Sequence, residues 1–407
     1  MHAATTDTAL HEDIPRWMVL LLAAACGVIV ANLYYAQPLI GPISQATGIS
    51  PAAAGLIVTL TQIGYGLGLL FIVPMGDLFE NRRLVLIGLA LTCVALVGAA
   101  LADSAAQLLA CMAAIGLGSV GAQVLVPYAA HFSLPHTRGR AVGNVVSGLL
   151  LGILLARPFA SLIAGWFGWH AIFAISAVLV AALMAVLARY LPRRHPPAGM
   201  HYGALLASMW TLVKVTPILR RRSVYHALLF AAFSMFWTAS PLWLASPALG
   251  LSQKGIALFA LVGVMGVVAA PLAGRLADHG WSRPATGLAL VFGSLSFLLP
   301  HLGPATREWQ LGLLLATALL LDCAVSANLV LSQRAIYALG AEIRGRLNGV
   351  FMATFFGGAA VGSALAGWIY VQAGWEGVSW LGFAFPLPAL LYYLTELRGA
   401  PASAPGH

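Results

Sequence analysis

Gly148-Leu-Leu-Leu-Gly152-Ile-Leu-Leu-Ala-Arg157-Pro158-Phe159 lies inside an apolar run from Val142 to Phe167 that carries a single guanidinium. The run is long enough to cross a bilayer, for which about 20 apolar residues at 1.5 Å rise suffice. A guanidinium in hydrocarbon costs at least ~2.5–3.5 kcal/mol on insertion scales, so such residues face a bundle interior or a watery cavity. Only one carboxylate, Asp322 in Leu319-Leu-Leu-Asp322-Cys-Ala-Val-Ser326, is similarly deep. The pair is the first candidate for function.

Read outward from that run with the same ruler, the chain holds twelve spans, near residues 17–40, 52–75, 84–102, 107–131, 142–167, 170–190, 223–246, 255–276, 285–303, 310–333, 347–372 and 377–396. Composition agrees. Hydrophobic residues make up 60% and charged residues 8%, with a mean hydropathy of +0.90; a soluble domain carries about 25% charged residues. An all-α polytopic membrane protein is expected, embedded in the lipid bilayer. The net charge of +9 does not point to nucleic acid. Of the 21 Lys and Arg, Lys254 and Arg307 fall on one side, Arg157 lies within, and the remaining 18 fall on the other side. That is the positive-inside bias, which places both termini in the cytoplasm.

The N-terminus does not read as a secretory signal, since its first fifteen residues hold Asp7, Glu12 and Asp13 and no Lys or Arg. Cys26, Cys93, Cys111 and Cys323 sit in spans without metal-type spacing, so buried free thiols are expected. No cofactor or metal is implied. A Gly-rich loop ending in Lys-Ser/Thr is absent, so ATP coupling has no support. Nor does either half hold a Ser/His or paired-carboxylate set, so an enzyme is not expected.

The longest polar segment, 191–222, contains Pro192, Arg193, Arg194, Pro196, Pro197, Lys214 and Arg220-Arg221-Arg222. It reads as a cytoplasmic linker between an N-terminal half, 1–190, and a C-terminal half, 223–407. The halves repeat. Arg138-Gly-Arg140-Ala-Val-Gly143 opens span five and Arg344-Gly-Arg346-Leu-Asn-Gly349 opens span eleven, offset by 206 residues (138 to 344). Gly168-Trp169 and Gly374-Trp375 share that offset, and Gly76-Asp77-Leu-Phe-Glu80 corresponds to Gly274-Arg-Leu-Ala-Asp278. Basic loops alone could converge under the positive-inside bias; the shared glycines and tryptophans require duplication. Two such halves place a substrate site between them near the midplane.

Twelve spans, a central loop and the Gly-x-Leu-x-acid loops resemble the major facilitator superfamily over essentially the whole chain. Ala31-Asn32-Leu-Tyr34-Tyr35-Ala-Gln37-Pro38, Gly76-Asp77-Leu78-Phe79-Glu80-Asn81-Arg82-Arg83 and Gln123-Val-Leu-Val-Pro127 resemble its arabinose-efflux-like permeases, in the drug:proton antiporter branch. The resemblance implies a cytoplasmic latch: Glu80 as the acid, Arg82 and Arg83 as basic partners, and Asp77 just inside. Arg138, Arg140, Asp278, Arg344 and Arg346 complete the implied gate. Two of the branch's hallmarks are missing. The usual span-four arginine position holds Met112, ahead of Gly116-Leu-Gly118, and the Gly-Pro of span five is Arg157-Pro158. The intramembrane cation has moved from span four to span five.

Asp322 shares a helical stripe with Ser326 and Gln333, since they fall within about 40° of it at 100° per residue. Arg157 lies about 25 Å above Arg140, and Asp322 about 18 Å above Arg334, at 1.5 Å per residue. In the resembled fold spans five and ten meet, so a state-dependent Arg157–Asp322 bridge across the halves is one expectation. The other is satisfaction within each half, Arg157 by carbonyls freed near Pro158 and Asp322 by hydroxyls. In span one Asn32 shares a face with Tyr35, and Tyr34 with Gln37; in span two Thr59 and Gln62 are one turn apart. Spans one, four, seven and ten line the cavity in the resembled family, which makes Asn32, Tyr35, Gln37, Gln123, Trp237 and Asn328 cavity candidates; Gln62 of span two joins them, with Asp322 and Arg157 for proton coupling. Any of the aromatics could instead be a packing or interfacial residue. His131, His226 and His301 lie near span ends and read as structural.

The expected function is a secondary carrier of the bacterial inner membrane, exchanging a small organic solute for protons by alternating access and working as a monomer. The alternatives are a proton symporter or facilitative importer, and a non-transporting sensor built on a carrier scaffold.

Overall fold

The computed structural model describes residues 14–134, 136–194, 201–304, 306–340 and 342–398. Asp7, Glu12, Asp13, Pro196 and Pro197, which entered the reading of the N-terminus and the linker, lie outside them. In chain order the helices are α1 (Arg16–Ala31), α2 (Ile40–Thr47), α3 (Leu56–Phe71), α4 (Asn81–Ala100), α5 (Ala105–Gly118), α6 (Gly121–His131), α7 (Arg138–Phe167) and α8 (Trp169–Tyr190). They continue with α9 (Tyr202–Val215), α10 (Pro217–Leu244), α11 (Gln253–Ala260), α12 (Gly266–Asp278), α13 (Ser282–Leu295), α14 (Arg307–Tyr337), α15 (Arg344–Ala384) and α16 (Leu387–Arg398).

Among the described residues, nine helical stretches are long and apolar enough to cross a membrane. The last, Arg344–Glu396, is two crossings: at Ala373 and Gly374 the backbone leaves helical geometry, with Gly374 at φ 59°. The first crossing, α1 running on toward α2, and the eighth, α11 into α12, are each interrupted by short non-helical or 3-10 segments. Twelve transmembrane crossings result, arranged as two pseudo-symmetric halves of six.

The duplication read from the sequence reappears in the backbone. Gly168, between α7 and α8, takes φ 81°, and Gly374 takes φ 59° at the corresponding turn; both are left-handed conformations that lack of a Cβ permits. The helix contacts repeat in register too. Gly152 of α7 lies against the backbone of Gly27 on α1, and Gly358 of α15 lies against that of Ala227 on α10. Small residues let helix backbones approach where no solvent drives them together.

Three departures from the expected spans bear on function. The first crossing is not one helix over 17–40: α1 stops at Ala31, turns carry 32–36, and a 3-10 turn follows over Gln37–Leu39. Pro38 explains the break, since its ring and missing N–H exclude a regular helix through that turn. Leu261–Met265 is likewise a 3-10 turn between α11 and α12, and contains Gly263. Non-helical backbone at membrane depth is tolerated only where protein or a cavity covers it. Finally, the linker is not plain coil. It contains α9, and α10 begins at Pro217, where proline suits the first helical turn, so the arginines 220–222 belong to the seventh crossing.

Among the described residues no cysteine forms a disulfide, but only Cys26 is fully buried; Cys93, Cys111 and Cys323 are half-buried. Each lies on a helix whose outer face is apolar, so partial exposure of a thiol carries little cost.

Candidate functional site

Arg157 projects from α7 into the seam between the halves and is only 3% exposed. Its Nε donates to Gln37 Oε1 at 2.7 Å. The guanidinium lies over three rings, with its carbon 5.0 Å from the centroid of Tyr34, 5.4 Å from Phe233 and 4.5 Å from Trp237. Tyr34 and Gln37 come from the broken segment after α1, while Phe233 and Trp237 are one turn apart on α10. The cation is therefore held by residues of both halves. Cation–π contacts of this kind gain strength when desolvated.

Asp322, from α14, is 6% exposed. It does not ion-pair with Arg157 in this conformation. Both residues instead address the bare face of Gly263: a Cβ built there would lie 3.8 Å from Asp322 Oδ2, 3.9 Å from Arg157 Nη1 and 3.5 Å from the Trp237 ring. Arg157 Nη2, Asp322 Oδ2 and Trp237 Nε1 are all buried without hydrogen-bond partners among the described residues. Burying such groups unpaired is costly, so the junction is a strained place that a stability argument alone would not build. The bridge is not formed in this conformation, and Arg157 finds its partner within its own half. Arg157 is satisfied by the Gln37 side chain rather than by carbonyls near Pro158, and Asp322 Oδ2 finds no hydroxyl.

The structure sorts the remaining cavity candidates. Gln37 and Trp237 join Arg157. Asn32 turns to α8 rather than to Arg157: its Oδ1 accepts from Ser176 at 2.6 Å and its Nδ2 donates to the carbonyls of Val28 and Ile29, while Tyr35 is buried. Tyr34 and Gln37, paired in the sequence reading, stay together on Arg157 while Asn32 lies against α8. Asn328 bonds His226 at 3.0 Å inside the C-terminal half, amid the rings of Phe230, Phe351 and Phe355. His226 is wholly buried rather than near a helix end, because α10 starts earlier than expected.

Gln62 crosses the seam. Its Nε2 donates to Ser234 Oγ of α10 and its Oε1 accepts from Ser363 Oγ of α15, both at 2.7 Å; Ser363 also meets Thr59 Oγ1 at 2.9 Å. Nearby, Gly55 packs against the Ser363 carbonyl, and Gly367 packs against the carbonyls of Pro51 and Ala52. Together with Gly165 of α7 against Gln253, these contacts close the face of the molecule opposite the arginine-rich loops.

On the arginine-rich face lies a chamber of about 410 Å³, lined in part by Asp77, Gln123, Arg194, Arg344, Arg346 and Asn348. Between chamber and charge junction runs a chain of aromatic rings. Gln123 donates to Tyr65 Oη at 3.1 Å; Tyr65 packs on Phe356, Phe356 on Phe230, and Phe230 on Phe233, which touches Arg157.

The latch residues pair locally. Glu80 meets Arg83 at 3.7 Å and Arg193 at 3.8 Å, and Arg82 donates to the carbonyls of Ala188 and Leu191 at the end of α8. Exposed helix-end carbonyls are natural acceptors for an arginine within reach. Asp278 pairs with Arg334 at 2.5 Å, Arg344 donates to Tyr337 O, and Arg346 to Ser208 of α9. Arg138 and Arg140 are exposed. Asp77 and Arg346, from opposite halves, both line the chamber.

The profile of the Major Facilitator Superfamily matches residues 20–340. The chain belongs to the major facilitator superfamily. It is 38% identical over 383 residues to the transporter YgaY of Escherichia coli, covering 94% of this chain and 96% of that one. It is 28% identical over 303 residues to a chloramphenicol resistance protein of Pseudomonas aeruginosa, covering 67% of this chain and 68% of that protein. Among solved structures, the nucleoside transporter NupG superposes with a TM-score of 0.76 at 15% identity, covering 93% of this chain and 99% of that one, a likeness of fold. This major facilitator protein is thus a membrane-spanning transporter, not an enzyme.

Sequence reading missed three residues of the site. Phe233 carried a signal, standing one helical turn before Trp237. Gly263 carried none, being one small residue in an apolar run. Ser363 was hidden because its partner Gln62 lies 301 residues away.

Proposed function

We propose that this transporter exports a small organic solute in exchange for protons, with Asp322 as the proton carrier and Arg157 as the cation that responds to its charge. What supports the reading is the convergence of Arg157 and Asp322, from opposite halves, on Gly263 with buried orphan atoms. Asp322 can take a proton or a cationic partner, but not both, and mutually exclusive occupancy is the requirement of an antiporter. The arginine-rich face is assigned to the cytoplasm by its charge, with the chain in the bacterial inner membrane. The chamber then opens inward, and the Gln62 seam closes the outside. The two bodies that rock are the N-terminal half to residue 190 and the C-terminal half from the start of α10 at Pro217, joined by the segment that holds α9, and they act within one monomer. In the outward-open state the chamber collapses, bringing Asp77 toward Arg346. The likeness to a chloramphenicol resistance protein favours export.

The test uses everted and right-side-out vesicles with an imposed pH gradient. Solute should move against the proton gradient, and Asp322→Asn should abolish gradient-driven movement while solute-for-solute counterflow persists at lowered affinity. Gradient-driven transport that survives Asp322→Asn removes the assignment.

A further inference from the structure

Resting on the carrier reading, we infer that the substrate is a dipolar α-amino acid with an apolar side chain, its carboxylate on Arg157 and its ammonium on Asp322. Three observations converge. Arg157 Nη2 and Asp322 Oδ2 are both buried and both lack partners. Nη1 and Oδ2 both lie within 4 Å of one point over Gly263, so the two groups converge there. Trp237, Tyr34 and Phe233 wall the guanidinium with rings, and Phe236 and Phe259 extend the apolar wall beside Trp237.

Charge decides the class. In a low-dielectric site an anion on Arg157 would leave Asp322 uncompensated, and a cation on Asp322 would leave Arg157 so; a neutral solute would leave both. One molecule carrying both charges satisfies the two together. Because the protein's groups approach a single point, the ligand's charges belong on one carbon rather than at the ends of a chain. Exchange follows from the same geometry. A proton arriving at Asp322 from outside neutralises the carboxylate, removes the hold on the ammonium and releases the amino acid. The site then carries the proton inward.

The experiment is counterflow of radiolabelled L-leucine into proteoliposomes holding the full-length protein. Unlabelled L-phenylalanine should compete. Leucinamide lacks the carboxylate, 4-methylpentanoate lacks the ammonium, and each should compete at least about tenfold more weakly, as expected for the loss of a charge-assisted bond. γ-Aminobutyrate, with its charges at the chain ends, should not compete. In Arg157→Gln, leucine should lose its advantage over leucinamide; in Asp322→Asn, its advantage over 4-methylpentanoate. Gly263→Ala, whose added methyl meets only ordinary contacts, should weaken leucine by a similar factor without disturbing the fold. If chloramphenicol is exchanged for protons but leucine and phenylalanine neither move nor compete, the amino-acid assignment is overturned and the carrier reading stands. Competition by leucinamide or γ-aminobutyrate equal to that of leucine overturns it as well. Failure of every solute to move under any gradient overturns both.

Discussion

Gln37 accepts a 2.7 Å hydrogen bond from Arg157 Nε, fixing the guanidinium against Tyr34, Phe233 and Trp237. The two residues sit on different crossings of the same half, so the cation is anchored in the N-terminal body while its rings come from both. Gln37→Leu removes the anchor and leaves a buried charged donor unmet. A loss of about 1.5–3 kcal/mol is expected, read as a lower melting temperature in detergent. Transport should fall with it. An unchanged melting temperature would show that the bond holds nothing in place.

Gln62 joins Ser234 and Ser363 across the closed face. Gln62→Leu strips both bonds, and interhelical hydrogen bonds in bilayers average about 0.6 kcal/mol. The closed form should lose roughly 1 kcal/mol, a several-fold change in population. A cysteine placed by Ala360→Cys, beside the Thr59 seam, should label faster from the outer face with an impermeant maleimide in the Gln62→Leu background. Equal labelling in both backgrounds would show that other contacts set the closure.

Arg222 is 4% exposed and pairs with Glu396 at 3.4 Å, while Tyr225 donates to the other carboxylate oxygen at 3.1 Å. Breaking a buried pair from one side costs about 3–5 kcal/mol. Glu396→Gln should therefore lower the melting temperature more than Gln37→Leu does, even though it lies outside the transport pathway. Counterflow per folded molecule should be unaffected.

Asp278, at the exposed end of α12, is held below the ordinary carboxylate value of 3.8, chiefly by the hydrogen bond from Arg334 and in smaller part by the Arg334 and His279 charges. A depressed carboxyl contributes its stabilisation above the unfolded value and loses it as pH falls through the folded one. Across about pH 5–8 the Asp278–Arg334 bridge is fully charged and constant. Asp278→Asn should leave the pH profile of transport unshifted over that range. A shifted profile would move proton sensing from the core to this loop.

Much of the architecture was legible because it is written in local periodicity. Apolar runs of bilayer length, basic loops and the glycine–tryptophan pairs at a 206-residue offset (168 to 374) give twelve crossings in two halves without any contact being known. Arg157 and Asp322 were legible for a different reason: ionisable groups inside such runs are too costly to be incidental. Gln37 and Trp237 came out because they lie on crossings one and seven, which line the cavity in the resembled family.

The tertiary structure alone decided the rest. That the face of Tyr34 and Gln37, rather than that of Asn32, meets Arg157 depends on how the broken segment after α1 packs against α7. That Glu80, Arg82 and Arg83 pair locally depends on α8 ending within reach of Arg82. That Gly263 is where Arg157 and Asp322 converge depends on three crossings from two halves arriving at one depth. Sequence fixes what each segment can bury, because hydropathy and helical period are properties of neighbours along the chain. Which segments share an orphaned charge is a property of packing, set by helix breaks and close glycine contacts between residues hundreds of positions apart.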